Sequence, residues 1–127
     1  MSVIIDTSVW IEYFNGRHKQ TVEDILNTKK TYLPPLVISE VLSGEKKIAL
    51  RESLKDFLYM VPMFAADRAH WENVGLLRHR LQKQGITISA PDAHVAQCAL
   101  DSDATLFAFD KIFEKISPLC GLKLFKI

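Results

Sequence analysis

The sequence predicts an α/β protein, a three-layer α/β/α sandwich with a mainly parallel central sheet, and three observations carry that prediction. Val3-Ile4-Ile5 is a β-branched run without alternation, which reads as a strand buried on both faces, as in a parallel sheet covered by helices. After Asp6 the period changes, and Val9, Trp10, Tyr13 and Phe14 recur at helical spacing. The same arrangement returns late in the chain, where the apolar strand Ala104 to Phe109 stops at Asp110 before a short helix carrying Ile112, Phe113 and Ile116. Strands alternating with helices imply right-handed crossovers that leave the strand ends along one edge. Ligands bind beyond such ends, where Asp6 and Asp110 both stand.

At 127 residues the chain is expected to be one domain, 1–127, long enough to bury roughly two thirds of its unfolded surface. With 48% hydrophobic and 24% charged residues it has an ordinary globular composition. A formal charge of +1 excludes a strongly basic nucleic-acid coat, but a small Lys and Arg patch with divalent metal still suffices for RNA. Cys98 and Cys120 show no metal-ligand or redox spacing and read as structural, Cys98 as a buried thiol. No run reaches the roughly 18 apolar residues of a membrane span, and we expect a soluble cytoplasmic protein.

Taken in order, the first helix ends at Asn15-Gly16, where glycine suits a C-cap. Thr21 with Asp24 is a capping-box pattern for a helix through about Asn27, closed by Lys29-Lys30. Thr31-Tyr32-Leu33 forms a second strand, and Pro34-Pro35 breaks it and starts a helix with Leu36, Val37, Ile38, Val41 and Leu42. Glu45 to about Met60 reads as an amphipathic helix through Ile48, Leu50, Leu54, Phe57 and Leu58, followed by a short edge strand at Val61-Pro62-Met63. Asp67 caps a long helix, Arg68 to Gln84, with Trp71, Val74, Leu77 and Leu81 as its apolar stripe and a basic stretch at Arg78, His79, Arg80 and Lys83. Gly85 ends it, and Ile86-Thr87-Ile88 runs extended into Ser89-Ala90-Pro91-Asp92, a helix start followed by the small residues Ala93, Ala96 and Ala99. Asp101-Ser102-Asp103 is a turn, Ser117-Pro118 ends the last helix, and Gly121 to Lys126 alternates as a half-exposed edge strand.

Four acids, Asp6, Glu40, Asp92 and Asp110, fall where they can converge on one rim of the sheet. Each has a plain structural reading: Asp6, Asp92 and Asp110 are good helix-start residues, and Glu40 can lie on a solvated stripe with Ser43 and Gly44. Against that, four carboxylates in one place need a cation to offset their repulsion. His94, two positions past Asp92, faces roughly the other side of its helix and is left out of the site.

The segments Asp6 to Phe14, Ile38 to Gly44, Pro91 to Ala99 and Leu106 to Phe113 resemble, in order and at these spacings, the four acidic motifs of PIN-domain ribonucleases of the VapC toxin type. Two departures stand near the last acid: Ala108 replaces a small polar residue common among relatives, and Ile112 replaces a second acid, which puts Asp110 behind the other three. The resemblance implies an endoribonuclease that is the toxin of a toxin-antitoxin pair. It also implies a small antitoxin that covers the site, and a homodimer or toxin-antitoxin hetero-oligomer.

The residues themselves favour the same chemistry. Oxygen-only ligands suit Mg²⁺ or Mn²⁺ rather than zinc, and such a cation serves phosphodiester hydrolysis. Asp6 and Asp92 are the primary metal ligands expected, Glu40 binds metal or orients its water, and Asp110 completes the cluster. Thr7 and Ser8 are expected to hold a carboxylate oxygen or a metal-bound water. Lys111 and the Arg78 to Arg80 stretch are the candidates for phosphate contact, and Trp10, Tyr13 and Phe14 for either core packing or part of a partner groove. Two other classes stay in view: a binding module of the same fold with an idle site, and a Mg²⁺-binding phosphoacceptor receiver domain. The latter would need paired acids after the first strand and a late-strand Lys.

Overall fold

The structure, a computed structural model, describes residues 1–44 and 48–127. Its sheet has four strands, all parallel, in the order β2-β1-β3-β4: β1 Ser2–Ile5, β2 Lys30–Tyr32, β3 Thr105–Phe107 and β4 Lys123–Leu124. Val3, Ile4 and Ile5 are all buried although consecutive strand residues point to opposite faces, so helices cover both sides of β1. That is the expected three-layer sandwich.

The helices are α1 Thr7–Phe14, α2 Lys19–Thr28, α3 Pro35–Gly44, α4 Ile48–Tyr59, α5 Arg68–Lys83, α6 Ala90–Asp101 and α7 Ile112–Cys120. Helix α6 lies against β1 and β3, α5 packs along α6, and α3 touches α1, α4 and α6. The small residues Ala93, Ala96 and Ala99, all buried, let α6 come close to the sheet. Trp10 and Tyr13 are core residues, and Trp10, Tyr13 and Phe14 form one aromatic stack with Phe57 of α4. The predicted start of α4 at Glu45, and the side chain of Ile48, lie outside the described residues. Among those described, no helix is long and apolar enough to cross a membrane.

Several expectations need correction. Helix α2 starts at Lys19, with His18 in the left-handed region at φ 54° as its N-cap, so Thr21 sits inside the helix rather than capping it. Val61-Pro62-Met63 gives only an isolated bridge, Leu33 to Met63, because Pro62 has no N–H with which to continue a ladder. The buried stripe of α5 is His70, Val74, Leu77 and Leu81, with Trp71 42% exposed; the core begins one residue earlier than hydrophobicity alone suggests. Helix α7 runs through Ser117-Pro118 to Cys120. Proline there forfeits one hydrogen bond in a last turn anchored by Phe113 and Ile116, and Gly121 at φ 77° closes the helix.

Candidate metal and catalytic site

In a sheet of order 2-1-3-4 the chain leaves β1 toward one side and later returns on the other, so the crevice for a ligand opens at the carboxyl ends of β1 and β3. Asp6 is the residue immediately after β1. Its N–H still pairs with the Phe107 carbonyl at 2.9 Å, which fixes it to β3 before the chain turns into α1. Its carboxylate caps α1, accepting from the Ser8 N–H at 3.2 Å and the Ser8 hydroxyl at 2.7 Å. The Ser8 hydroxyl oxygen in turn accepts the Phe109 N–H at 3.1 Å, so one serine couples the loops after β1 and β3.

The other three acids are delivered by different elements. Asp92 stands in the first turn of α6, where Ser89 is the N-cap and accepts the Asp92 N–H at 3.2 Å. Asp110 follows β3, and its carboxylate accepts the Ile112 N–H at 3.0 Å at the start of α7. Glu40 lies on α3 with an exposed side chain, held by the Thr7 hydroxyl at 2.8 Å. Thr7 and Ser8 thus each hold a carboxylate oxygen, one on Glu40 and one on Asp6.

Their electrostatics show that the four share one field. Burial raises the Asp6 carboxyl above its ordinary range, against its hydrogen bonds from Ser8 and Thr7, and the charge of Glu40 adds to the rise. Asp92 is raised by burial and then by Asp110 and Asp6, with a hydrogen bond from Ser89 opposing. None of the four acids forms a salt bridge among the described residues. Four carboxylates meet at a strand-end crevice, Asp6 is only 7% exposed, and no salt bridge among the described residues offsets them. An oxygen-only donor set of this kind fits a hard divalent cation, which typically takes one or two carboxylates and keeps several waters.

Comparisons with known proteins bear on the family and the fold. The family model of the PIN domain matches residues 3–118. The chain belongs to the PIN-domain family. PIN domains are generally nucleases. Among solved structures the chain is similar to one in the VapBC2 complex of Rickettsia felis bound to a promoter DNA fragment, with 21% identity, 98% of each chain covered and a TM-score of 0.82. It is also similar to one in VapBC-1 of nontypeable Haemophilus influenzae, at 18% identity, 99% and 98% covered, TM-score 0.80. A toxin-antitoxin complex of Klebsiella pneumoniae gives 20% identity, 98% and 99% covered, TM-score 0.77. At these identities the likeness establishes that this PIN domain shares their fold.

A second polar cluster, missed from the sequence, lies inside this PIN domain. His94 is turned away from the acids, as its phase on α6 predicts, but it is fully buried and 2.7 Å from His70, with Asp101 2.9 Å beyond His70. Cys98 Sγ lies 3.8 to 3.9 Å from these ring nitrogens. Burial, with His70 adding to it, holds the His94 pKa down to about 4, and burial with the charge of Asp101 keeps the Cys98 thiol protonated. His70 at the head of a 70, 74, 77, 81 stripe was the available signal. Of the basic stretch, Arg78 donates to the Ile88 carbonyl at 3.0 Å and braces the loop before α6, while His79, Arg80 and Lys83 are exposed, as is Lys111.

Proposed function

We propose that the chain is a divalent-metal-dependent endoribonuclease, the toxin of a toxin-antitoxin pair, with Asp6, Asp92, Glu40 and Asp110 as its metal and catalytic site. The observation that carries this reading is the gathering of Asp6, Asp92, Asp110 and Glu40 at the β1/β3 crevice, where the charge of Glu40 bears on Asp6 and those of Asp110 and Asp6 on Asp92, with no salt bridge to any of them among the described residues. Asp6 and Asp92 are the primary ligands, Glu40 holds metal or its water, and Asp110 completes the set. When bound there, Mg²⁺ or Mn²⁺ would supply a lowered pKa for an attacking water and stabilisation of charge on the phosphate oxygens. The chain's own part is to hold the carboxylates aimed at one crevice. Ser8 fixes Asp6, Thr7 fixes Glu40, and the helix starts of α6 and α7 fix Asp92 and Asp110.

The toxin reading is supported by the PIN-domain match and by neighbours that are chains of VapBC complexes. A partner helix has a place to dock in the apolar groove of about 520 Å³ between α3 and α4, lined by Leu33, Ile38, Leu42, Leu58, Val61 and Met63. The decisive experiment incubates the purified chain with RNA, in excess chelator and then with Mg²⁺ or Mn²⁺ restored. Cleavage is expected only with metal, and equal cleavage in chelator overturns the metal mechanism. Expression of the chain alone is expected to arrest growth, and co-expression of its antitoxin to relieve the arrest.

A further inference from the structure

Among the described residues, three helices have an N-cap side chain that accepts an N–H of the helix's own first turn: Asp6 for α1, Asp67 for α5 and Ser89 for α6. Helix α3 begins after Pro34, which carries no side-chain acceptor, so the Leu36 N–H in its first turn must find one elsewhere. That acceptor is His94 Nε2, 3.5 Å away across the α3–α6 contact.

The donor logic then runs in one direction. An amide N–H only donates, so His94 Nε2 carries no proton and the ring proton sits on Nδ1. His94 Nδ1 lies 2.7 Å from His70 Nε2, which must accept, leaving the His70 proton on Nδ1, 2.9 Å from Asp101 Oδ2. Gln97 Nε2 donates to the other Asp101 oxygen at 2.8 Å. Every ring nitrogen is used once, from Leu36 through His94 and His70 to Asp101. Trp71 covers the pair, stacked on His94 at 4.6 Å and 9°. By composition His70, His94 and Cys98 also form a soft-metal ligand set, with ligand atoms within 4.8 Å of one another. The 2.7 Å between the two nitrogens is a hydrogen bond, shorter than the roughly 3.3 Å between two nitrogens of a tetrahedral zinc.

We propose that His94, braced by His70 and Asp101, is a positioning residue that caps α3 from α6 and so sets Glu40 against Asp92. Leu36 lies one turn before Glu40 on α3, and His94 lies two residues after Asp92 on α6. This cross-link therefore ties together the two helices that deliver half of the acid rim, and its role rests on the metal-dependent reading above.

The test uses the different reach of two amides. In His94→Gln the carboxamide extends to where Nε2 was and keeps an acceptor for Leu36. In His94→Asn it ends near the Nδ1 position and keeps only the contact to His70. Both lose one of two ring contacts, so both are expected to melt below wild type. A merely structural role makes them alike at the metal site. Positioning predicts that His94→Gln binds Mn²⁺, read from the spectrum of the free ion, within about 3-fold of wild type. His94→Asn is expected to bind at least 10-fold more weakly and to need correspondingly more metal for cleavage. Equal Mn²⁺ binding by all three folded proteins overturns the proposal, as does a wild-type His94 whose ¹⁵N spectrum shows the proton on Nε2. If wild type binds Mn²⁺ with the expected order but cuts no RNA, the nuclease reading fails while the positioning stands. If wild type binds no Mn²⁺, both fall.

Discussion

Helix α6 carries two polar clusters that solve opposite problems. At its N-terminus Asp92 joins Asp6, Asp110 and Glu40; the charge of Glu40 adds to the raised Asp6, those of Asp110 and Asp6 add to the raised Asp92, and none of the four forms a salt bridge among the described residues. Further along, the buried His94 and Cys98, with Asp101 at the helix end, join His70 in a cluster where each donor meets an acceptor. A buried polar network with every member satisfied specifies packing and asks for nothing from outside. A network of like charges is incomplete until something binds. This difference, rather than burial or residue type, separates the cluster proposed to take a metal from the one that holds helices together.

The largest effect should come from the incomplete cluster. Asp6→Asn keeps an N-cap side chain, so the fold survives, but it removes a charge from the crevice. RNA cleavage is expected to fall by roughly 100-fold or more, on the scale of losing one group that stabilises transition-state charge. Toxicity on expression should vanish with it. Persistent toxicity of a folded variant would move the activity elsewhere on the molecule.

The complete cluster should respond in stability instead. His70→Leu leaves the buried His94 Nδ1–H without its acceptor and takes from Asp101 one of its two donors, Gln97 remaining, at a cost of about 1–3 kcal/mol in denaturant unfolding. Metal affinity should change far less than in Asp6→Asn. A variant as stable as wild type would mean that the two polar groups find water or new partners.

Acid should act on the two clusters with opposite signs. The folded-state pKa of His94 lies at about 4, below the ordinary 6.5, so as pH falls through this window the unfolded chain takes up a proton that the folded one refuses. His94 therefore lowers stability as pH drops from about 6.5 toward 4. Asp6 and Asp92 have raised values, so the folded state binds protons first and the metal-free protein gains from them as pH falls toward the ordinary carboxylate range. His94→Gln, which lacks the first contribution, should lose less stability than wild type across this window. Parallel pH–melting curves of the two proteins would contradict the assignment.

How far these clusters are legible in the sequence follows from how each is encoded. Asp6 and Asp110 stand at the ends of apolar strands, so the pattern that identifies the strand also locates the acid. Glu40 and Asp92 sit on helices, and only their spacing with the other motifs brings them to the same rim. The histidine cluster was missed because its signal is a phase. His70 occupies the buried position of α5 that Trp71 seemed entitled to, and Trp71 instead covers His94 from the exposed side. Helix α7 was cut short because Pro118 reads as a breaker, whereas near a C-terminus it forfeits a single bond.

The finest distinction concerns Asp92, which is at once a first-turn residue and a member of the repelling set. Asp92 is the third residue of α6, behind the Ser89 cap, so Asp92→Asn keeps the side-chain shape and removes a first-turn charge that suits the helix dipole. If Asp92 only serves the helix, the variant should melt slightly below wild type, by about 0.3–1 kcal/mol, and respond to Mg²⁺ as wild type does. In the repelling set, its neutralisation removes the pressure of Asp6 and Asp110, and at an effective dielectric near 20, with solvent screening, the metal-free variant should gain about 1 kcal/mol or less. Wild type should then gain stability from Mg²⁺ by mass action, and the variant should gain much less because it has lost a ligand. Metal-free stability and Mg²⁺ response therefore move in opposite directions in one variant, a pattern that loss of a helix-start contact cannot produce. Equal Mg²⁺ responses would take Asp92 out of the metal site.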